Sequence, residues 1–406
     1  MSDAGEAIEL SPALREGGQH VTQKKRQEKA ATGASAATLR AVSARLLTFY
    51  FRAPVKAFFR TRVDYMGYVR AVSPRVQAGE AWSWRMTSPA LLASAIRHYG
   101  WTFLPNQVLP PLLANTTVGA VLYTSYLQTL GLLHEPSSRA SKRVYPPPSL
   151  STAYSAGFVA GSIQSVIAAP VDALQVRFQA SELMEGKYRN MWQYAYSKAR
   201  EIGFRGIFAG WSLSFVKDAF GYGAFFATFE YVKSQAFYSF VSNYYGHYGR
   251  LTAAQQSQVD SQSIISGTAI IKPHYMIEPT FIALAGMAAS ITSQAIQYPI
   301  SKVQDIHYDR LAYIDSHSHD KVGNARQIAV NLYMNAYRKT WKQCLALARR
   351  EGGLRRWLYS DFLMSTLKQI PSTSVGLIVF EALRRKYSGE EDAIKIEKDG
   401  YDIQLS

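Results

Sequence analysis

The 406-residue chain predicts an all-α membrane protein assembled from repeated helix pairs, and three observations carry that expectation. Residues 149–169 and 279–300 contain no charged side chain. Each stretch reaches the roughly 18 to 20 residues that a lipid-facing helix needs. Apolar residues recur with helical spacing, and no run alternates with strand period for long. Finally, an ordered set of short signatures occurs twice, and a third time in weaker form, which marks internal repetition.

Composition narrows the class. Hydrophobic residues make up 48% of the chain, yet mean hydropathy is only −0.12. Several helices must therefore carry charges, which a membrane tolerates where they face protein or a wet cavity. A net charge of +16 suits anionic lipid or nucleic acid. The chain has no zinc-ligand spacing, RNP-like strand or continuous basic helix, so nucleic acid is set aside. Cys344 is the single cysteine, which rules out an intrachain disulfide and reads as a packed thiol. No phosphate-cradling Gly loop, nucleophile elbow or cluster of His and acids is present. The chain is thus read as a non-enzyme with no catalytic residues and no metal site.

In chain order, residues 1–37 read as a disordered polar tail carrying Lys24-Lys25-Arg26. They lack the apolar core of a secretory signal, and Asp3, Glu6, Glu9 and Glu16 argue against a mitochondrial presequence. Residues 38–135 hold a degenerate first repeat: Ala53-Pro54-Val55-Lys56 as a helix break, Tyr65-Met66-Gly67 entering a surface helix, and Leu109–Gln128 as the return span. Arg45, Arg52 and Lys56 share one helical face, which would line water.

The second repeat, 149–238, is the clearest. Its uncharged span runs into Pro170-Val171-Asp172-Ala173-Leu174-Gln175-Val176-Arg177, followed by the turn Glu201-Ile202-Gly203. An apolar helix then closes on Phe229-Glu230-Tyr231-Val232-Lys233. Residues 239–278, rich in Tyr, Ser, Gln and Gly, read as a hydrophilic loop between repeats. The third repeat, 279–387, passes Tyr298-Pro299, Arg350-Glu351-Gly352-Gly353 and Trp357-Leu358-Tyr359, and closes on Phe380-Glu381-Ala382-Leu383-Arg384. A flexible loop at about 306–335, with His307, His317 and His319, interrupts it; residues 388–406 read as a disordered acidic tail. Small residues at Gly157, Ala160 and Gly161, and at Ala285, Gly286, Ala288 and Ala289, allow close helix approach. Trp192, Trp211, Trp341 and Trp357 fall near helix ends, as an interfacial belt requires.

The order Pro-x-acid-x-x-base, surface helix, acidic-Gly turn, aromatic-acid-x-x-base resembles a repeat of the mitochondrial carrier family. That resemblance implies a six-transmembrane-helix bundle of three pseudo-repeats around a central cavity, kinked at Pro54, Pro170 and Pro299. It implies a monomer in the mitochondrial inner membrane, multi-pass, with the outer membrane as the alternative. Bound cardiolipin is implied at helix N-termini near Asn190 and Gly352, with no other cofactor.

The implied gates depart from the family pattern. The matrix gate falls on Lys56, Asp172, Gln175 and Gln304. Glutamine stands where two bases belong, Ser301 replaces an acid, and Lys302 and Asp305 sit one place off. One pair, Asp172 with Lys56, would remain beside glutamine hydrogen bonds. The cytosolic gate keeps Glu230 with Lys233 and Glu381 with Arg384, while repeat one offers Leu127 and Leu130. Implied substrate contacts are Asn115, Lys217, Asp218, Lys368 and Gln369. A base followed by an acid resembles the amino-acid type, with Lys217 and Lys368 for a carboxylate and Asp218 for an ammonium. The implied function is transport of a small anionic or zwitterionic, amino-acid-like metabolite by alternating access, with the membrane lipid and the solute as partners. The broken matrix pattern leaves an alternative: a transport-inactive carrier-fold protein serving as a mitochondrial membrane scaffold or insertion factor.

Overall fold

A computed structural model describes residues 66–79, 83, 87–138, 144–178, 187–266, 269–318, 325–367, 394–398 and 401–405. All of these lie in one unit, Pro54–Ser406. In order the elements are α1 (Gly67–Val72), α2 (Ser88–Tyr99), α3 (Leu109–Leu133), α4 (Leu150–Val176), α5 (Met191–Ile207), α6 (Trp211–Glu230), α7 (Phe237–Tyr245) and α8 (Ala253–Ser266). There follow β1 (Ala269–Ile271), α9 (Ile277–Ser318), α10 (Ala325–Arg350), α11 (Leu354–Leu358), β2 (Ile394–Lys398) and β3 (Tyr401–Leu405). A π-helical turn, Tyr231–Ala236, joins α6 to α7.

Helices α3, α4, α6 and α9 pack side by side in that order. On α4 and α9 the burial is inverted relative to a water-soluble bundle. On α4 the outward residues are Val159, Ile163, Val166 and Ile167, while Ala153, Ala156, Ala160, Gln164 and Ser165 are buried. On α9, Leu284 and Ile291 face out, and Ser290, Ser293, Gln294, Gln297 and Gln304 are buried. Water would drive those branched side chains inward. An apolar solvent leaves them outside and gathers the polar groups inside. Two described helices, over Leu150–Val176 and Ile277–Ile314, are long and apolar enough to cross a membrane by length and composition.

Local sequence explains the element ends. Ser149 caps α4, its hydroxyl accepting from Thr152 N at 3.2 Å, and Asn190 caps α5, its side chain accepting from Gln193 N at 2.8 Å. Gly203, at φ 68°, breaks α5 where the acidic-Gly turn was expected, a conformation that glycine alone adopts without strain. The same turn in the third repeat falls on Gly352 and Gly353, at φ 84° and 135°. Of the three expected kink prolines, the two described, Pro170 and Pro299, lie inside continuous helices, where each removes one backbone donor.

Small residues set the distance between α4 and α6. A Cβ on Gly157 would stand 2.7 Å from the carbonyl oxygen of Tyr222 and 3.0 Å from the Phe226 ring, and a Cβ on Gly161 would strike the carbonyl of Asp218. Next to this seam, Tyr126 of α3 stacks on Phe226, ring centroids 3.6 Å apart.

Three expectations are corrected. The segment 306–318 is not a loop: it continues α9, because His307, Leu311 and Ile314 recur at helical spacing against Ala209 of the α5–α6 turn and Ala336 of α10. The polar residues between them hide that stripe. The stretch 239–278 is not an extended hydrophilic loop either, since it folds as α7, α8 and β1. Nor is 388–406 disordered throughout. Its strands β2 and β3 join β1 in a sheet of order β1-β3-β2, with β1 parallel and β2 antiparallel to β3. Alternate burial of Tyr401, Ile403 and Leu405 is the period-2 signature of a half-buried strand. Among the described residues, these strands add a small β element to helices.

Candidate functional site

The site is built where α4, α6 and α9 meet at the end nearest α5 and α10. Lys217 lies mid-way along α6 and donates from Nζ to Gln304 Oε1 of α9 at 2.5 Å. The Gln304 amide donates from Nε2 to Ser214 Oγ at 2.6 Å and to the Tyr308 hydroxyl at 2.5 Å. Ser214 donates to Asp172 Oδ2 of α4 at 3.2 Å, and its oxygen lies 2.9 Å from the Tyr308 hydroxyl. A serine oxygen has one proton to give and two lone pairs to receive. With Ser214 donating to Asp172 and receiving from Gln304 and Tyr308, every assignment is consistent. The result is a continuous chain from a cation on α6, through an amide on α9 and a hydroxyl on α6, to an anion on α4. Gln304 and Ser214 are almost wholly buried, at 2% and 1% exposure. In such surroundings an unmet donor or acceptor costs more than in water.

Ser214 and Tyr308 are functional candidates that the motif comparison missed. The signal was available in spacing: Ser214 lies three residues before Lys217, and Tyr308 four after Gln304, so each pair shares a helix face. A narrow cleft opens beside the cluster, lined by Asp172, Arg177, Gly210, Trp211, Ser214 and Tyr308. Arg177 is buried there, donating to Ala173 O at 2.9 Å.

Comparison with known proteins now bears on this arrangement. The family model for mitochondrial carrier proteins matches residues 147–239, the repeat that contains α4, α5 and α6. The chain is 23% identical over 290 residues to a mitochondrial thiamine pyrophosphate carrier of Aspergillus niger, covering 71% of this chain and 73% of that protein. Together these matches support membership of the mitochondrial carrier family, at low identity. It is also 26% identical over 125 residues to a mitochondrial arginine transporter of Arabidopsis thaliana. A third relative, a mitochondrial substrate carrier family protein of Dictyostelium discoideum, is 27% identical over 140 residues. These two matches span 31% and 34% of this chain, and 39% and 47% of the respective relatives.

In carrier terms, the expected substrate and matrix-gate positions converge: Lys217 from the first set bonds Gln304 from the second. Asp218 and Asn115 are buried on α6 and α3, and Gln175 lies half-buried in the last turn of α4. Pro54, Lys56, Lys368, Gln369, Glu381 and Arg384 lie outside the described residues, as do Arg45 and Arg52.

At the opposite end, Glu230 is buried and pairs with Lys233 at 3.2 Å, and Ser234 Oγ donates to its carboxylate at 3.2 Å. This carrier-type pair closes within one helix. Pairs at that spacing stabilise by about 0.2–0.5 kcal/mol. Such a pair shapes the end of α6 more than it bolts two helices together.

Lys302, one place off the carrier motif, has a structural task. Its ammonium donates to Trp357 O at 2.9 Å and to the Ser360 hydroxyl, and lies 5.8 and 5.9 Å from the centroids of the Tyr298 and Trp357 rings. Tyr298 also donates to the carbonyl of Ser360. These contacts fasten α9 to the turn after α11, where free C-terminal carbonyls attract a cation.

Proposed function

We propose that this carrier moves a small anionic or zwitterionic, amino-acid-like metabolite across the mitochondrial inner membrane by alternating access. It does so as a monomeric bundle of six helices around a central cavity. The observation that carries the reading is the bond from Lys217 to Gln304 inside a set of inverted helices. Even a half-buried ammonium among apolar spans is costly unless it has work to do. One of its partners is a neutral amide, which an arriving carboxylate displaces readily because a charged acceptor binds an ammonium more strongly. Asp218, beside Lys217 in sequence, is the candidate for the substrate's ammonium group. When Lys217 leaves Gln304, the chain through Ser214 to Asp172 loses its cationic end, which links occupancy to the joint between α4, α6 and α9. Cardiolipin at the N-termini near Asn190 and Gly352 belongs to the same proposal.

A second reading rests on the same cluster. Two matrix-gate positions, Gln175 of α4 and Gln304 of α9, carry neutral amides where the family pattern places bases, which suits a carrier fold that no longer cycles and serves as a membrane scaffold or insertion factor. Liposomes containing the purified protein separate the two. The panel holds radiolabelled amino acids, arginine among them, with thiamine pyrophosphate as an anionic competitor class. The transport reading expects uptake of at least one solute, reduced tenfold or more by Lys217→Ala and partly restored by Lys217→Arg. Absence of uptake across the panel, with correctly folded protein, supports the scaffold instead.

A further inference from the structure

The second core of the molecule lies away from the polar cluster, at the end of the bundle that carries Glu230 and Lys233. It gathers Phe237, Val241 and Tyr245 from α7, Leu251, Val259 of α8, Ile271 of β1, and Tyr401, Ile403 and Leu405 of β3. Ile277 and Phe281 of α9 pack against it. Phe281 meets Phe237 edge-on at 5.6 Å and lies 5.3 Å from Phe240. Tyr401 donates its hydroxyl to the carbonyl of Tyr245 at 2.5 Å. In β3 the residues Tyr401, Asp402 and Ile403 pair in register with Ala269, Ile270 and Ile271.

Three features place this module at a mechanical joint. It begins immediately after the π-helical turn Tyr231–Ala236, and π turns are local weak points in an α-helix, where the chain bends. It holds the continuation of α6 and the start of α9 in one apolar core, so these two helices are joined just beyond the bundle. Its central strand, β3, comes from the far end of the chain, beyond the third repeat, and supplies three of its nine buried core residues. Among the described residues, the ion pair beside this core, Glu230 with Lys233, lies along the continuous run from α6 into the π-helical turn and does not tie α6 to α9. We propose that the C-terminal hairpin, β2 with β3, is a clasp that holds α7 against the start of α9, so that its docking governs how freely the mouth beside Glu230 opens.

The clasp is a conformational device and does not depend on the transport reading. Hydrogen exchange on the full-length protein in detergent or nanodiscs tests it. Ile403→Ala removes a wholly buried side chain from the central strand, and Ile403→Asp is the stronger version. The expected result is that amides of Tyr231–Ala236 and α7 exchange about tenfold faster or more, while α4 and α10 keep their wild-type rates. A cysteine pair engineered between α7 and the first turn of α9 should restore slow exchange in the Ile403→Ala protein. If the hairpin exchanges faster but 231–245 does not change, the hairpin is a passive cover and the proposal fails. If Ile403→Ala accelerates α4 and α10 equally, the module is simply part of the global fold, which also overturns a local clasp. Substrate uptake enters neither outcome, so the clasp and the transport reading stand or fall separately.

Discussion

Ser214 shows how much one hydroxyl can carry when it is buried between helices. It receives from Gln304, lies against Tyr308 and donates to Asp172, so three helices depend on a single side chain. Ser214→Ala takes one partner from the half-buried Asp172 carboxylate and one from the buried Gln304 amide. The expected cost is about 1–3 kcal/mol, the penalty of an unmet buried group. Thermal unfolding in detergent measures it, and a double-mutant cycle with Tyr308→Phe should show a coupling of at least about 0.5 kcal/mol. Additive losses would mean that the hydroxyls act separately and that the chain from Lys217 to Asp172 is not a unit. Cys344 gives a second residue-scale prediction. Burial against Ala348 and Trp357 raises its thiol pKa, so the reactive thiolate is scarcer than for an exposed cysteine at any given pH. Maleimide labelling at pH 7.5 should be slow in the folded protein and fast after denaturation. Rapid labelling of the native state would show that the packing of α10 on α11 is loose.

At the scale of elements, glycine controls the closest seam. The obstacle to a larger residue at position 161 is the backbone carbonyl of Asp218, which has no rotamer to yield. Gly161→Ala must therefore push α6 away from α4 and, with it, Ser214 away from Asp172. A loss of about 1–3 kcal/mol is expected from overpacking, read as a lower melting temperature. A melt equal to wild type would place the seam elsewhere. Helix glycines at this spacing were visible in the sequence, as were the paired turns at Gly203 and Gly352, because small residues and φ > 0 glycines leave a plain compositional trace. The run 306–318 was harder to read. Its buried stripe of His307, Leu311 and Ile314 is diluted by Tyr, Asp and Arg, so hydropathy reports a loop although the i, i+4, i+7 spacing is intact. The hairpin 394–405 was harder still, since a strand pair this short gains its stability from a core supplied by residues some 130–160 positions away in sequence. The gate departures at Gln175 and Gln304 were legible, but their consequence was not, because motif position says nothing about which neighbour a neutral amide will choose.

For the whole molecule the deciding quantity is length against bilayer thickness. Helix α9 has 42 residues, about 63 Å at 1.5 Å per residue, whereas the hydrocarbon layer is about 30 Å thick. Its start packs on the β module and its later half on α10, so the excess projects from the end that carries the surface helices. That end also exposes Arg200, Arg338, Lys339, Lys342, Arg349, Arg350, Arg355 and Arg356, against acids such as Glu201 and Glu351. Each positive charge held on the negative side of a membrane is favoured by roughly 2.3 kcal/mol per 100 mV. An inner membrane that is negative inside therefore favours this end in the matrix, with the β module and its exposed Arg250 and Lys272 facing outward. Trypsin added to mitochondria with a ruptured outer membrane should cut after Arg250 and remove an epitope appended after Ser406. Cleavage within α10 should require detergent. The reverse pattern would invert the bundle, and cleavage after Arg250 with protection of the appended epitope would break the pairing of β1 with β3, since strands in one sheet cannot lie on opposite sides of a membrane.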